Sequence, residues 1–562
     1  MMKDAVSVAA DFIRTLIDQA CLQAVQSGRF SVFEPFPYNV EIPADTGHGD
    51  FACNIAMAGA RVFKMAPRQI ADTIVSFIQT GDRLARVEVA GPGFINFHLE
   101  PFYYTDAVLD ELRTGAWTGR LDIGQSRKVM VEFVSANPTG PMHLGNARGG
   151  ALGDSLAAVL DACSYETCRE FYVNDAGNQV DLFGRSLEAR YLQRYLPDIA
   201  FPDDGYHGDD ITRRACEFAE DYGDSLIHAD PEERRHELVA FAMPRNIAEL
   251  RATLERYRIF YDVWFLESTL HDDGSVERTI DKLRANGCIY EKDGAIWYRA
   301  TDFGGEKDEV LVKQNGFYTY FAVDIAYHYN KFVDRGFDRV INVWGADHHG
   351  HVARMKGAMD ALGVGGHRLD IVLMQLVDLK QDGEKVRMSK RTGRAVTLSD
   401  LLEEVPVDAA RFYFTMREYT SHFTFDLDLA LKQNNENPVY YVQYAHARIC
   451  SILKKLGDLN ESVIMGRARS ELLTEEDEKT LIRRLAFFPN ILMRVVAESE
   501  PSHVTRYAME ISSLFHRFYD TCRVRNEDDT DLTCSRAALC LCVRQVLRRC
   551  LGLLKIEAPE VM

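Results

Sequence analysis

The 562-residue sequence predicts an α/β, doubly wound (Rossmann-like) centre between an N-terminal α+β unit and a C-terminal all-α helical bundle. Three observations carry this. Strand and helix signals alternate through the middle of the chain, as a parallel sheet built from βαβ units requires. A mixture of helix and hairpin signals precedes them. From residue 405 onward strand signals largely vanish and long apolar periodicities of helical spacing take over. The resulting division is 1–112, 113–404 with an insertion over 178–315, and 405–562.

Each element has a local reason. Residues 1–20 carry Asp4, Asp11 and Asp18 among apolar positions, which makes an amphipathic helix and not a cleavable leader. Glycines punctuate a loop over Asp45–Met57, and Pro67 opens a helix to Ile78. Arg86–Leu99 reads strand, Gly-Pro-Gly turn, strand. In the centre, strands are expected at Val129–Val134, Glu170–Val173, Arg339–Val343 and Ile371–Leu376, with a helix over Arg148–Ala162. The insertion holds a helix over Pro231–Tyr257 and a hairpin in IYEKDGAIWYRA. Helices follow at Asp408–Arg417, Pro438–Leu456, Glu475–Glu498, His503–Arg523 and Ser535–Leu554.

Composition excludes several classes. Hydrophobic residues make up 46% and charged residues 27%, as in ordinary globular proteins. No run approaches the length of a membrane span, so no membrane association is expected and the chain is placed in the cytoplasm. The 12 cysteines include no C-x-x-C pair, so buried reduced thiols are expected, with no disulfide and no structural zinc. A net charge of -19 argues against indiscriminate coating of nucleic acid. Local basic clusters remain, Arg448 with Lys454 and Lys455, and Arg544, Arg548 and Arg549 with Lys555; each is either a nucleic-acid contact or a solvated helix face.

The most informative stretch is VMVEFVSANPTGPMHLGNARG, residues 129–149. A run of β-formers stops at a Pro/Gly-rich turn that delivers His143-Leu144-Gly145-Asn146 to a helix start. Strand, glycine turn and helix present a phosphate site at a sheet edge, where helix N-terminal amides add positive potential. His143 and Asn146 share one side of the first turn, and Gly145 leaves room for a nucleotide to approach the backbone. Far downstream, KVRMSKRTG (Lys385–Gly393) places four basic residues in a glycine-containing loop. Asp347 and His348, in GADHHGH after another strand end, could help bind adenosine; with His349 and His351 nearby, a metal site is the alternative.

Together these segments resemble the HxGH and KMSKS signatures of class I aminoacyl-tRNA synthetases, in the family's order. The longer string SANPTGPMHLGNARGG resembles the arginyl-tRNA synthetase family in particular. The resemblance runs from DTGHGD to the final methionine. It implies an ATP-binding set of His143, Gly145, Asn146, Asp347, His348, Met388, Ser389 and Lys390, with His143, Asn146 and Lys390 stabilising the leaving pyrophosphate and Mg²⁺ on the polyphosphate. Asn146 replaces the second histidine of HxGH; its amide donates a hydrogen bond but cannot carry a proton charge. Arg387 replaces the first lysine of KMSKS, whereas Lys390 keeps the second. Family members lacking that lysine carry one just before HxGH; here that position is Gly140.

The resemblance also implies an L-arginine site. A guanidinium calls for planar carboxylate recognition, and Glu132 and Asp324 match the family's acidic positions, with Tyr320 one helical turn from Asp324. Asn137 matches the residue that holds the substrate's α-amino or carboxylate group, with Ser135 assisting. Read from the residues alone, Glu132 and Asp324 are also compatible with an exposed strand acid and a helix-surface acid.

In the helical tail, Tyr441, Tyr444 and Arg448 recur at helical spacing, either as core or as a stacking face for splayed bases. The resemblance assigns them, with Met562, to the anticodon loop of tRNA(Arg), and the first unit to the tRNA elbow. It implies arginine–tRNA ligation, with tRNA needed even for the first step; a monomer is expected. A non-catalytic tRNA-binding paralogue and another class I nucleotidyl-transfer enzyme remain as alternatives.

Overall fold

The computed structural model describes residues 5–31, 33–43, 46–81, 83–100, 102–116, 118–386 and 396–562. The first unit opens with the Ala5–Gln26 helix, which buries Val6, Ala9, Ile13, Ile17 and Cys21 along one face. That stripe packs toward a sheet of β1 (Val40–Glu41), β2 (Phe51–Cys53), β3 (Leu84–Ala90) and β4 (Phe94–Leu99), ordered β1-β2-β4-β3 and antiparallel throughout. Part of the loop expected over Asp45–Met57 is therefore strand, because Phe51 and Cys53 fill the core beneath the sheet.

The central sheet takes β5 (Lys128–Glu132), β6 (Glu166–Val173) and β7 (Val263–Leu266), then, past a hairpin and a third strand at β8 (Ile289–Lys292), β9 (Ala295–Tyr298) and β10 (Glu309–Val312), it takes β11 (Arg339–Gly345) and β12 (Leu369–Met374). Its order is β12-β11-β5-β6-β7, all parallel. Winding thus proceeds outward one way from β5 and then the other way from β11. The crevice between these two strands is the switch point at which doubly wound sheets bind ligands.

The 178–315 stretch is not a single insertion. The chain leaves the sheet through helices Asn178–Gln193, Asp209–Tyr222 and Pro231–Arg256, returns as β7, and leaves again for the β8–β10 sheet. The short apolar run VWFL pairs with the C-terminal half of β6, a partner distant in sequence. A second difference is β15 (Phe423–Asp426), which follows β13 (Val377–Gln381) and β14 (Glu384–Val386) and pairs in parallel with β13 inside the stretch expected to be all helix. Its alternation buries Phe423 and Phe425 and exposes Thr424. The helix expected over Glu475–Glu498 is two, Glu476–Ala486 and Phe488–Glu498, because Pro489 supplies no amide to continue the ladder.

One helix organises the centre. Leu144–Ala162 is buried along almost its whole length from Ala147 onward. It lies so close to the sheet that a Cβ on Gly153 would sit 2.3 Å from the Phe133 ring, and one on Gly150 2.7 Å from Ile259. Two charges ride inside it. Arg148 is 0% exposed and donates to the backbone carbonyls of Gln375 (2.9 Å), Ser421 (3.1 Å) and Glu418 (2.8 Å). Burial lowers its pKa to about 10. Asp154 accepts from Arg411 at 2.6 Å and from Arg169 at 3.3 Å. Arg411, itself fully buried, also donates to the carbonyls of Leu554 (2.7 Å) and Tyr257 (3.0 Å). It ties the central helix to the end of the chain.

Breaking such a buried pair leaves a carboxylate and two carbonyls short of a donor. Arg411→Met is expected to destabilise the protein by about 3 kcal/mol. Chemical denaturation checks this; an unchanged midpoint would show that Arg411 does not tie the units together.

Candidate active site at the switch point

The turn after β5 is backbone-strained. Val134 and Ser135 both have positive φ, 69° and 40°, a region costly for a β-branched residue and one that concentrates at functional sites. The strain is held by hydrogen bonds: Ser135 Oγ donates to Glu132 Oε1 (2.9 Å) and accepts the Tyr172 amide (3.2 Å). Asn246, from the Pro231–Arg256 helix, braces the following loop by donating to the Pro138 carbonyl at 2.8 Å. The loop then delivers His143 as the N-cap of Leu144–Ala162. Asn146 Oδ1 accepts the His143 backbone N–H at 2.9 Å, so the asparagine closes the first turn much as a glutamine does in a capping box. His143 is exposed, and a Cβ at Gly145 would meet nothing within 4 Å, so the turn faces open space.

His143 also forms a bridge with Thr397, and Leu398 N–H donates to the Met142 carbonyl at 2.9 Å. Met388, Ser389 and Lys390 lie outside the described residues. The chain on either side of them is placed by the β13–β14 hairpin and by Thr397, which caps the Leu398–Glu404 helix. The two signature segments are thus joined at the downstream flank of the second.

At the switch point lies a cavity of about 600 Å³, bounded by the ends of β5 and β11 and by the Tyr320–Tyr329 helix; His143, Gly145 and Asn146 do not line it. It is lined by Glu132, Ser135, Tyr320, Asp324, Asp347 and His348, among others. Asn137 does not line it and is exposed in the loop beyond Ser135. Thr319 caps the helix, and Tyr320 and Asp324 share its cavity face one turn apart. Asp347 and His348 are largely exposed in the short turn after β11. Among the described residues no group of three or more His, Cys, Asp or Glu side chains is arranged to hold a metal ion, and His351 is engaged elsewhere.

The two acids differ in environment. Glu132 is buried and already paired: Lys331 Nζ donates to its Oε2 at 2.5 Å. Asp324 keeps a side-chain exposure of 37% and accepts from His351 Nε2 at 3.1 Å. Arg354 Nε donates to His351 Nδ1 at 2.7 Å, which places the imidazole proton on Nε2, and Arg354 in turn pairs with Glu309 at 2.9 Å. Deeper still, His328 Nδ1 donates to the Asp324 carbonyl (2.8 Å) and Nε2 accepts from Asn342 (2.7 Å). Complete burial, with Lys331 close by, holds the His328 pKa far below the usual histidine range. At the cavity's far side, Tyr172 OH donates to Glu267 at 2.7 Å. Burial pushes the Glu267 carboxyl up to about 7, against the lowering effect of that bond. Lys331, Asn342, His328 and Arg354 escape a reading of the sequence. Each looks like an ordinary helix or strand residue until the elements pack.

A second surface lies in the helical tail. On Pro438–Lys455, Tyr440 stacks near Tyr444 at 6.2 Å, and Tyr441 and Tyr444 flank His516 at 5.1 and 6.1 Å. Arg448 sits over Tyr519 at 4.2 Å. The C-terminal residues run alongside: His446 Nδ1 donates to the Pro559 carbonyl (2.8 Å) and Gln443 to the Glu557 carbonyl (2.9 Å). Met562 ends that segment 48% exposed.

Comparison with known proteins matches three family models: an arginyl tRNA synthetase N terminal domain over residues 11–99, a class I (R) tRNA synthetase catalytic domain over 112–419, and a DALR anticodon binding domain over 442–562. Proteins named arginine–tRNA ligase from Caldanaerobacter subterraneus and Ruminiclostridium cellulolyticum are each 51% identical, with the whole of both chains covered. Among solved structures, the Thermus thermophilus arginyl-tRNA synthetase aligns with a TM-score of 0.73 at 22% identity, covering 98% of this chain and 100% of its own. The Plasmodium falciparum arginyl-tRNA synthetase aligns with a TM-score of 0.74 at 20% identity, covering 99% of each chain. A chain that matches relatives at half identity from end to end, with its cavity at the switch point of the same fold, belongs to the arginyl-tRNA synthetase family.

Proposed function

We propose that this protein is an arginine–tRNA ligase. It activates L-arginine with ATP to arginyl-adenylate and transfers the arginyl group to the 2′-OH of the terminal adenosine of tRNA(Arg). The observation that carries the reading is the partly exposed Asp324 carboxylate, which lines the switch-point cavity.

In the first step an arginine carboxylate oxygen attacks the α-phosphorus of ATP, and the bond to pyrophosphate breaks in line. His143, the Asn146 amide and the helix N-terminus stabilise the phosphate charge, with Lys390 reaching the β/γ-phosphates. The imidazole and amide at the turn would donate to phosphate oxygens, while Mg²⁺ would be held mainly by the nucleotide's own phosphate oxygens and would neutralise their charge. In the second step the ribose 2′-OH attacks the arginyl carbonyl carbon and AMP leaves. Catalysis is positioning plus electrostatics. Asp347, His348, Gly145, Met388 and Ser389 complete the ATP site.

Asp324, Tyr320 and Glu132 take the guanidinium, and Ser135 and Asn137 the α-substituents. Tyr441, Tyr444, Arg448 and Met562 meet the anticodon loop, and the first unit meets the tRNA elbow. The matched family ranges, 11–99, 112–419 and 442–562, support three successive units, which we draw at 1–112, 113–404 and 405–562. We assign the protein to the cytoplasm as a monomer; no helix among the described residues is long and apolar enough to cross a membrane.

ATP–pyrophosphate exchange across the twenty amino acids tests the reading. Exchange with arginine alone, and only when tRNA is present, is expected; exchange with another amino acid would overturn the arginine pocket. Lys390→Ala and His143→Ala are each expected to lower kcat by roughly 10²–10³, and wild-type turnover in both would remove the phosphate roles. Asp324→Asn should raise the KM for arginine at least about tenfold while sparing ATP; an unchanged KM would take Asp324 out of the pocket.

A further inference from the structure

Beneath the cavity floor runs a buried polar chain that links the two acids. Glu132 and Asn342 are register partners on β5 and β11, facing each other across the switch point. Lys331 reaches between them, donating to Glu132 Oε2 at 2.5 Å and Asn342 Oδ1 at 3.2 Å, with its ammonium 4.0 Å from the centre of the Tyr327 ring. Asn342 Nδ2 then donates to His328 Nε2, and His328 Nδ1 to the carbonyl of Asp324. Each member of this chain hydrogen-bonds to the next, so each orientation fixes the one after it. Lys331 and Asn342 are 0% exposed.

Lys331 is turned inward by backbone geometry. The Tyr320–Tyr329 helix continues as a π-turn over Asn330–Asp334, and the wider turn shifts the side chains that follow. A buried ion pair is not by itself a stabilising device, since well-packed apolar residues often serve as well or better. This one lies under a pocket assigned to a cationic side chain, where a second cation repels the ligand. Lys331 pairs with Glu132, whereas Asp324 keeps a partly exposed carboxylate that meets His351 Nε2 at 3.1 Å.

We propose that Lys331 is a positioning residue for the arginine side chain. It holds Glu132 and, through Asn342 and His328, the helix turn carrying Asp324, so that the two carboxylates keep the spacing a planar guanidinium needs. The inference rests on the arginine–tRNA ligase reading and extends it to a residue that need not touch the substrate. Loss of the ammonium frees Glu132 to turn and releases the Asn342–His328 tether.

The test is tRNA-dependent ATP–pyrophosphate exchange by the full chain. Lys331→Met is expected to raise the KM for arginine at least about tenfold with the KM for ATP within about twofold, the scale of one unpaired buried polar group. In a Glu132→Gln background the same substitution should add under half of that factor, because its main target is already gone. If Lys331→Met does not fold, Asn342→Leu, which keeps the ion pair, is expected to raise the arginine KM by a smaller factor, again without ATP. An unchanged arginine KM in the folded variant overturns the proposal. So does an equal rise for both substrates, or a full additional rise in the Glu132→Gln background. Wild-type protein without arginine-dependent exchange would instead overturn the ligase reading, and the inference with it.

Discussion

The structure hangs on the buried pairing of Asp154 with Arg411. Asp154 sits midway along a helix that is covered on nearly all sides, and a carboxylate there is tolerable only with a cation and further hydrogen bonds. Arg411 supplies the cation from the Val407–Met416 helix, the second after the signature loop. Its remaining donors take carbonyls at the end of the Pro231–Arg256 helix and at the end of the last helix. One guanidinium thus fixes four segments. The same helix is capped by His143, so the His143 turn inherits its position from this pair. Arg148 does comparable work one turn into the helix, holding the carbonyl of Gln375 between β12 and β13 and those of Glu418 and Ser421 ahead of β15.

The site follows from topology. Only one crevice of the sheet lies between strands wound in opposite directions, and both acids and the strained Val134–Ser135 turn converge there. The acids are treated unequally. Glu132 is buried against Lys331, whereas Asp324 meets the cavity with the His351 imidazole on it. This differs from the simplest picture of two acids both waiting for the substrate's charge, because leaving Glu132 buried and unpaired in the empty pocket would cost several kcal/mol.

The helical tail is joined to the centre by polar as well as apolar contacts. Arg258, just past the Pro231–Arg256 helix, pairs with Asp408 at 2.5 Å and Glu557 at 2.9 Å. The final residues are thereby laid along the Pro438–Lys455 helix, beside its tyrosines. A face offering rings, Arg448 and an exposed Met562 is chemically suited to unstacked bases despite the chain's net negative charge.

The sequence by itself determined the signature turn, the helix it caps, the strands flanking it and most helices of the tail. Those features depend on periodicity and on residues a few positions apart, such as His143 with Asn146 and Tyr320 with Asp324. The candidate site was legible where a motif carried it, and the placement of Met388, Ser389 and Lys390 stays with the motif because they lie outside the described residues. Only the tertiary structure decided that VWFL returns to the sheet as β7, that Phe423–Asp426 pairs with β13, and that Glu132 is neutralised from within. The reason is the same in each case. Parallel pairing and buried ion pairs join residues far apart in the chain, as Lys331 joins Glu132, and nothing in the local pattern around Lys331 distinguishes a helix-surface lysine from one folded inward beneath a binding pocket.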